Sequence, residues 1–113
     1  MAETFKLKTG ASVSNTALES IYTVPASTST VVIGCVLTNK SGANITADIQ
    51  IATVSTTGEN ADDVYIAKAV LIPTADSLEV IEGKVALEAG DTFKVLASAG
   101  SALDVALSIL EIS

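Results

Sequence analysis

Histidine, arginine and tryptophan are absent from this chain, which also has only one cysteine, two phenylalanines and two tyrosines. Without histidine there is no Ser–His–Asp or Cys–His relay, no imidazole base and no mixed Cys/His zinc site, and an all-cysteine zinc site would need several thiols. Without arginine there is no planar fork to grip a phosphate at two points. The six cations are all lysines, scattered at Lys6, Lys8, Lys40, Lys68, Lys84 and Lys94, against thirteen Asp and Glu, for a net charge of −7. Nucleic-acid binding needs clustered basic residues and is therefore excluded, and the same acidic balance disfavours an anionic membrane as partner. The scarcity of aromatics counts against stacking platforms for sugars or single-stranded bases.

One cysteine allows no internal disulfide. Cys35 falls within the apolar run Val31-Val32-Ile33-Gly34-Cys35-Val36-Leu37, where a buried, inert thiol is expected. That run is far too short for a membrane-spanning helix. The start, Met1-Ala2-Glu3-Thr4-Phe5-Lys6, has no apolar signal region, so synthesis and assembly in a cytoplasm are expected.

What the chain does have is aliphatic content. Its 113 residues suit one domain spanning 1–113, and 49% of them are hydrophobic while 17% are charged. That surplus implies a core rich in small aliphatics together with apolar surface reserved for neighbouring subunits.

The pattern is one of strands and turns. Asn44 to Val54 alternates with Ile45, Ala47, Ile49 and Ile51 on one side and Thr46, Asp48 and Gln50 on the other, a period of two that only a half-buried strand satisfies. Ser29 to Asn39 is dense in β-branched residues, with Val31, Ile33, Cys35 and Leu37 assigned to one face, and Lys40-Ser41-Gly42-Ala43 reads as a hairpin link to the next strand. Further strands are expected at Thr4 to Lys8, Leu18 to Val24 (stopped by Pro25), Val64 to Ile72 (stopped by Pro73), Ser77 to Glu82, Lys84 to Leu87, Thr92 to Ser98 and Leu103 to Ile112. In the last of these, Leu110 and Ile112 leave the face occupied by Leu103, Val105, Leu107 and Ile109, so a bulge or a subunit contact is expected there. No window has caps and a sustained helical period. The expected fold is all-β, a single antiparallel β-sandwich of jelly-roll or immunoglobulin-like topology with eight or nine strands.

Few constellations could carry chemistry. A carboxylate-only mechanism needs two converging acids; Glu59, Asp62, Asp63, Glu79, Glu82, Glu88 and Asp91 sit instead at strand ends and turns, as hydrated rims do. The stretch Glu59-Asn60-Ala61-Asp62-Asp63 offers oxygen ligands for calcium but lacks the spacing and glycine of an EF-hand loop. Leu87-Glu88-Ala89-Gly90-Asp91 is a structural turn, with Gly90 in a conformation other residues avoid and Asp91 bonded into the turn. The triplets Asn39-Lys40-Ser41 and Asn44-Ile45-Thr46 match the glycosylation acceptor, which matters only in a secreted chain. No catalytic residue, cofactor site or metal site is assigned, and an enzyme is not expected.

The order Tyr22-Thr23-Val24-Pro25-Ala26, then Val31-Val32-Ile33-Gly34-Cys35-Val36-Leu37-Thr38-Asn39, then a glycine-containing link resembles small virion structural proteins of tailed bacteriophages, in particular those of T4-like marine cyanophages. Ile66-Ala67-Lys68-Ala69-Val70-Leu71-Ile72-Pro73, Val85-Ala86-Leu87-Glu88-Ala89-Gly90-Asp91 and Ser108-Ile109-Leu110-Glu111-Ile112 continue the likeness, which runs from about Phe5 to Ile112. The resemblance implies a β-sandwich subunit of a phage particle, located in the virion and bringing no catalytic residues. The expected role is capsid decoration, with the chain itself and the major capsid protein or other virion proteins as partners, and neither nucleic acid nor membrane. Alternatives are a tail, baseplate or fibre component, and a free carbohydrate- or calcium-binding module. Subunit contacts are expected from Thr4, Phe5, Lys6, Leu7, Leu110 and Ile112 at the two ends, and from Glu59 and Asp62 in the acidic loop.

Overall fold

The computed structural model describes residues 3–53, 63–79 and 85–113. They form nine strands: β1 (Glu3–Gly10), β2 (Glu19–Thr23), β3 (Ser29–Asn39), β4 (Ile45–Ala52), β5 (Asp63–Ile72), β6 (Ser77–Glu79), β7 (Val85–Leu87), β8 (Thr92–Ala97) and β9 (Leu103–Ile112). No helix occurs among the described residues. As expected from the prolines, β2 ends two residues before Pro25 and β5 directly before Pro73.

Two antiparallel sheets face each other. One has the order β1-β9-β3, with β6 and β7 both on the far side of β3; the other has the order β2-β8-β4-β5. Strand β6 pairs with Val36–Thr38 and β7 with Thr30–Val32, so the two short strands fill one edge position between them. Counted that way, eight strand positions interleave as a jelly roll, which decides between the two topologies the sequence left open.

The hairpin expected at Lys40-Ser41-Gly42-Ala43 does not form. Strands β3 and β4 lie in opposite sheets, and the link is an arch from one layer to the other. Asn39 explains the arch. Its side chain is fully buried, and its amide donates to the carbonyl oxygens of Ala43 (2.8 Å) and Ile72 (2.9 Å). Its Oδ1 accepts from the Ser41 N–H (2.9 Å) and the Ser41 hydroxyl (2.7 Å). One side chain thus ties the arch to the end of β5 and satisfies several of its backbone polar groups.

The core lies between the layers. Strand β4 contributes Ile45, Ala47, Ile49 and Ile51 as its alternation predicts, beside Phe93, Val95 and Ala97 of β8 in the same sheet and facing the sheet that supplies Leu103, Val105, Leu107 and Ile109 of β9. Each buried Leu or Ile side chain is worth about 1.5–3 kcal/mol relative to exposure. Strand β3 departs from the expected phase. Val32, Cys35 and Leu37 point inward while Val31 is half-buried and Ile33 exposed, because a bulge between Val32 and Gly34 places an extra residue opposite β9. Strand β9 carries no irregularity against β1, so its Leu110 and Ile112 simply occupy the outer face while Glu111 points inward.

Gly90 behaves as its turn requires, with φ at 91°. The Asp91 carboxylate accepts from the Glu88 N–H (2.9 Å), and the turn is fastened to β2 by Val24 N–H donating to the Asp91 carbonyl (2.9 Å) and Gly90 N–H to the Val24 carbonyl (3.0 Å).

Candidate interaction face

Strand β1 has its polarity reversed relative to an ordinary edge strand. Its core-side positions are Thr4, Lys6 and Lys8, and its outer positions are Glu3, Phe5, Leu7 and Thr9, as the register with β9 requires (Lys6 opposite Ile109, Phe5 opposite Leu110). No β1 side chain belongs to the buried core. Phe5 is 75% exposed and Leu7 63% exposed, although both are large and apolar.

The same outer face continues across the sheet. Phe5, Leu110, Val31 and Ala86 are aligned on four neighbouring strands, and the next outer row is Leu7, Ser108 and Gly34. Ile33, pushed out by the bulge, adds to it, as does Ile112 opposite Glu3 and Ser29. Across β1, β9 and β3 no charged side chain points outward between Glu3 at one end and Asp104 at the other. In a chain of net charge −7 such an uncharged stretch over three neighbouring strands is unusual.

Beside that face lies a depression of about 260 Å³ lined by Thr9, Gly10, Ala11, Thr38, Asp104 and Ala106. At its rim Lys40 pairs with Asp104 (2.9 Å), which also accepts the Ser12 N–H (2.9 Å). These bonds hold the Asp104 carboxyl below its usual range, the Ser12 N–H contributing most and Lys40 next.

Beneath β1 the lysines are anchored. Lys6 Nζ lies 2.7 Å from Glu111 Oε1, and Tyr22 donates its hydroxyl proton to Glu111 Oε2 at 2.6 Å. The Tyr22 oxygen is also 2.8 Å from Thr30 Oγ1. Lys6 first and Tyr22 second hold the Glu111 carboxyl below its usual range, whereas burial first and the Glu111 bond second push Tyr22 up to about 12. The Lys8 ammonium lies over the Tyr22 ring, 5.8 Å from its centroid.

The opposite edge, β5, also exposes apolar side chains: Val64, Tyr65, Ile66 and Leu71. It is bulged twice against β4. At one bulge Ala69 takes φ 53°, its N–H donating to Asp48 Oδ1 at 2.7 Å, and Lys68 reaches Asp48 Oδ2 at 3.1 Å.

Of the contact residues singled out from the sequence, Phe5, Leu7, Leu110 and Ile112 come together on one face. Thr4 and Lys6 turn to the other side of β1, and Glu59 and Asp62, with the calcium reading of their loop, lie outside the described residues. Val31, Ile33 and Ala86 went unnoticed as members of the face; the phase slip at Leu110 and Ile112 was the one signal that the outer side was apolar. Among the described residues there is no group of three or more Cys, Asp or Glu able to hold a metal ion, and no helix long and apolar enough to cross a membrane.

No protein-family model matches the chain, and no curated protein matches it. Among solved structures it is similar to one reported as "Bacillus endospore appendages form a novel family of disulfide-linked pili", with a TM-score of 0.54 at 12% identity, covering 99% of this chain and 87% of that one. At that identity the likeness concerns the fold, an all-β sandwich.

Proposed function

We propose that this protein is a structural subunit of a multi-subunit particle, and specifically a decoration protein of a tailed-phage capsid. The observation that carries the structural role is the outer face of the β1-β9-β3 sheet: uncharged between Glu3 and Asp104, with Phe5 and Leu7 standing in solvent. An apolar area of this kind is what a subunit buries against a neighbour. The virion assignment draws its support from the order of strand and turn motifs described above. Many copies, each held weakly, would reinforce a lattice through multivalency.

A second reading, an appendage subunit, is favoured by the fold likeness to the endospore pilus structure. Those pili are described as disulfide-linked, whereas the single cysteine here, Cys35, has no exposed surface in the folded chain. Any filament built from this chain would be held without disulfides.

Gold-labelled antibody on intact particles, viewed by electron microscopy, tests both. Label spread over phage heads is the expected result. Label confined to tails moves the protein there, label along cell- or spore-borne filaments supports the second reading, and no label on any particle removes the assembly role.

A further inference from the structure

The outer face that carries the assembly reading has a knob at one end and a hollow at the other. Phe5 projects near the Glu3 end, and four residues along the same strand begins the depression lined by Thr9, Gly10, Ala11, Thr38, Asp104 and Ala106. A cavity of about 150 Å³ already accommodates benzene, so about 260 Å³ is ample for a phenyl ring. A surface bearing both a projection and its receptacle complements itself under a two-fold rotation.

We propose that this face is the contact between two copies of the chain, packed sheet on sheet about a two-fold axis that crosses the strands at the level of Leu7, Ser108 and Gly34. The axis keeps β1 over β1 and reverses its direction, so Phe5 of each copy enters the depression of the other. Residues on the axis row are suited to close approach: Ser108 is small, and the space over Gly34 is open for 4 Å around a would-be Cβ. At the ends, Glu3 of one copy is brought over Ala11 and Ser12 of the other, beside the Lys40–Asp104 ion pair, and this approach occurs twice. Three to four strands about 4.8 Å apart and eight residues long at about 3.3 Å each give a projected face of roughly 400–500 Å². Side-chain relief raises its accessible area towards the roughly 800 Å² per partner of a standard interface.

The contact also explains why the partner is a copy joined face to face rather than edge to edge. If two β1 edges met antiparallel in one continuous sheet in the register that sets Phe5 opposite Leu7, Lys6 would oppose Lys6, and one step along, with Leu7 opposite Leu7, Lys6 would oppose Lys8. Sheet stacking avoids that opposition and leaves β5, with Tyr65 and Leu71, free for a different partner.

The proposal rests on the assembly reading, but its test uses the purified full chain alone. Sedimentation equilibrium should show a reversible dimer at concentrations up to about 100 µM. Phe5→Lys should weaken it by roughly 100-fold or more, since the substituted residue acts twice in a two-fold contact. Thr9→Arg, which fills the depression without touching the core, should do the same. A bis-maleimide spanning about 10 Å, the spacing of packed sheets, should cross-link Ser108→Cys to itself but not Ser20→Cys on the other sheet. A monomer throughout that concentration range overturns the proposal, as does a dimer that keeps its affinity in both variants or cross-links through Ser20→Cys instead. Particle labelling together with a monomeric chain would sink the dimer and leave the assembly role standing, whereas a variant-sensitive dimer upholds the contact even where no particle is labelled.

Discussion

The Tyr22 hydroxyl donates to Glu111 Oε2 at 2.6 Å and thereby ties β2 of one sheet to β9 of the other. Because Glu111 Oε1 is at the same time 2.7 Å from Lys6, the one carboxylate also fastens the N-terminal edge strand. A hydrogen bond to a charged group is worth about 1.5–3 kcal/mol. Tyr22→Phe should therefore lower unfolding free energy by about that amount, read from urea titration with an unchanged slope. A loss under about 0.5 kcal/mol would mean that this bond holds nothing.

Stability should be level across neutral pH and fall on both sides. With no histidine, no side chain has an ordinary titration between about pH 5 and 8. Glu111 and Asp104 have lowered values in the folded chain, so their contribution is complete above the usual carboxylate range and is lost as pH falls through the lowered values. On the alkaline side, Tyr22 and Cys35 are both pushed up to about 12, Cys35 by burial, from ordinary values of 10.0 and 9.0. Their contribution is complete below those ordinary values and disappears as pH rises towards 12. Chemical denaturation at a series of pH values checks this, and a marked slope between pH 6 and 8 would contradict it.

Asn39→Ala should be the most damaging substitution at a polar residue. It removes the four hydrogen bonds of the Asn39 side chain at once and takes a donor from the buried Ile72 carbonyl, while the exposed Ala43 carbonyl keeps the Ser41 hydroxyl. Each buried group left unpaired costs about 1–3 kcal/mol, so a loss of about 3 kcal/mol or more is expected in thermal or urea unfolding. Asn39→Asp keeps the acceptor but not the two donors and should recover only part of that.

Cys35 should be silent in the native protein. Its side chain has no exposed surface, and burial keeps the thiol protonated at neutral pH. A thiol-specific chromogenic reagent should react fully in denaturant and, without it, no faster than the chain opens.

Deleting residues 1 to 8 should impair assembly far more than folding. Its described residues, 3–8, give no side chain to the core, yet they include Phe5 and Leu7. Circular dichroism should retain a strand-rich spectrum with a cooperative melt at reduced temperature, while particle occupancy collapses. Unchanged occupancy would remove the outer face from any role in assembly.

How much of this was legible in the sequence differs strand by strand. The inward set of β4 could be read directly, because nothing interrupts its alternation and one face meets the core throughout. Strand β3 could not, since a single extra residue at Ile33 moves Val31 to the outer face while Cys35 and Leu37 stay inside, and nothing local marks a bulge. The link 40–43 looks the same whether its strands pair or arch over the core. What decides is the insertion of β9 beside β3, contributed by residues more than sixty positions away. The interaction face was half visible: Phe5, Leu7, Leu110 and Ile112 attracted notice by their place at the chain ends, but only the register shows that Val31 and Ala86 continue their row.

The position of β9 has a kinetic consequence. This strand, formed by residues 103–112, lies in the middle of its sheet and supplies Leu103, Val105, Leu107 and Ile109 to the interior. Until it has been synthesised, β1 has no partner strand and β3 lacks its longest neighbour, so the N-terminal half of a growing chain cannot close its sandwich. Folding must await release of nearly the whole domain and then proceed through distant pairings, which is slow by the standards of small proteins. In that interval the solubility of the nascent chain rests on its excess of negative charge.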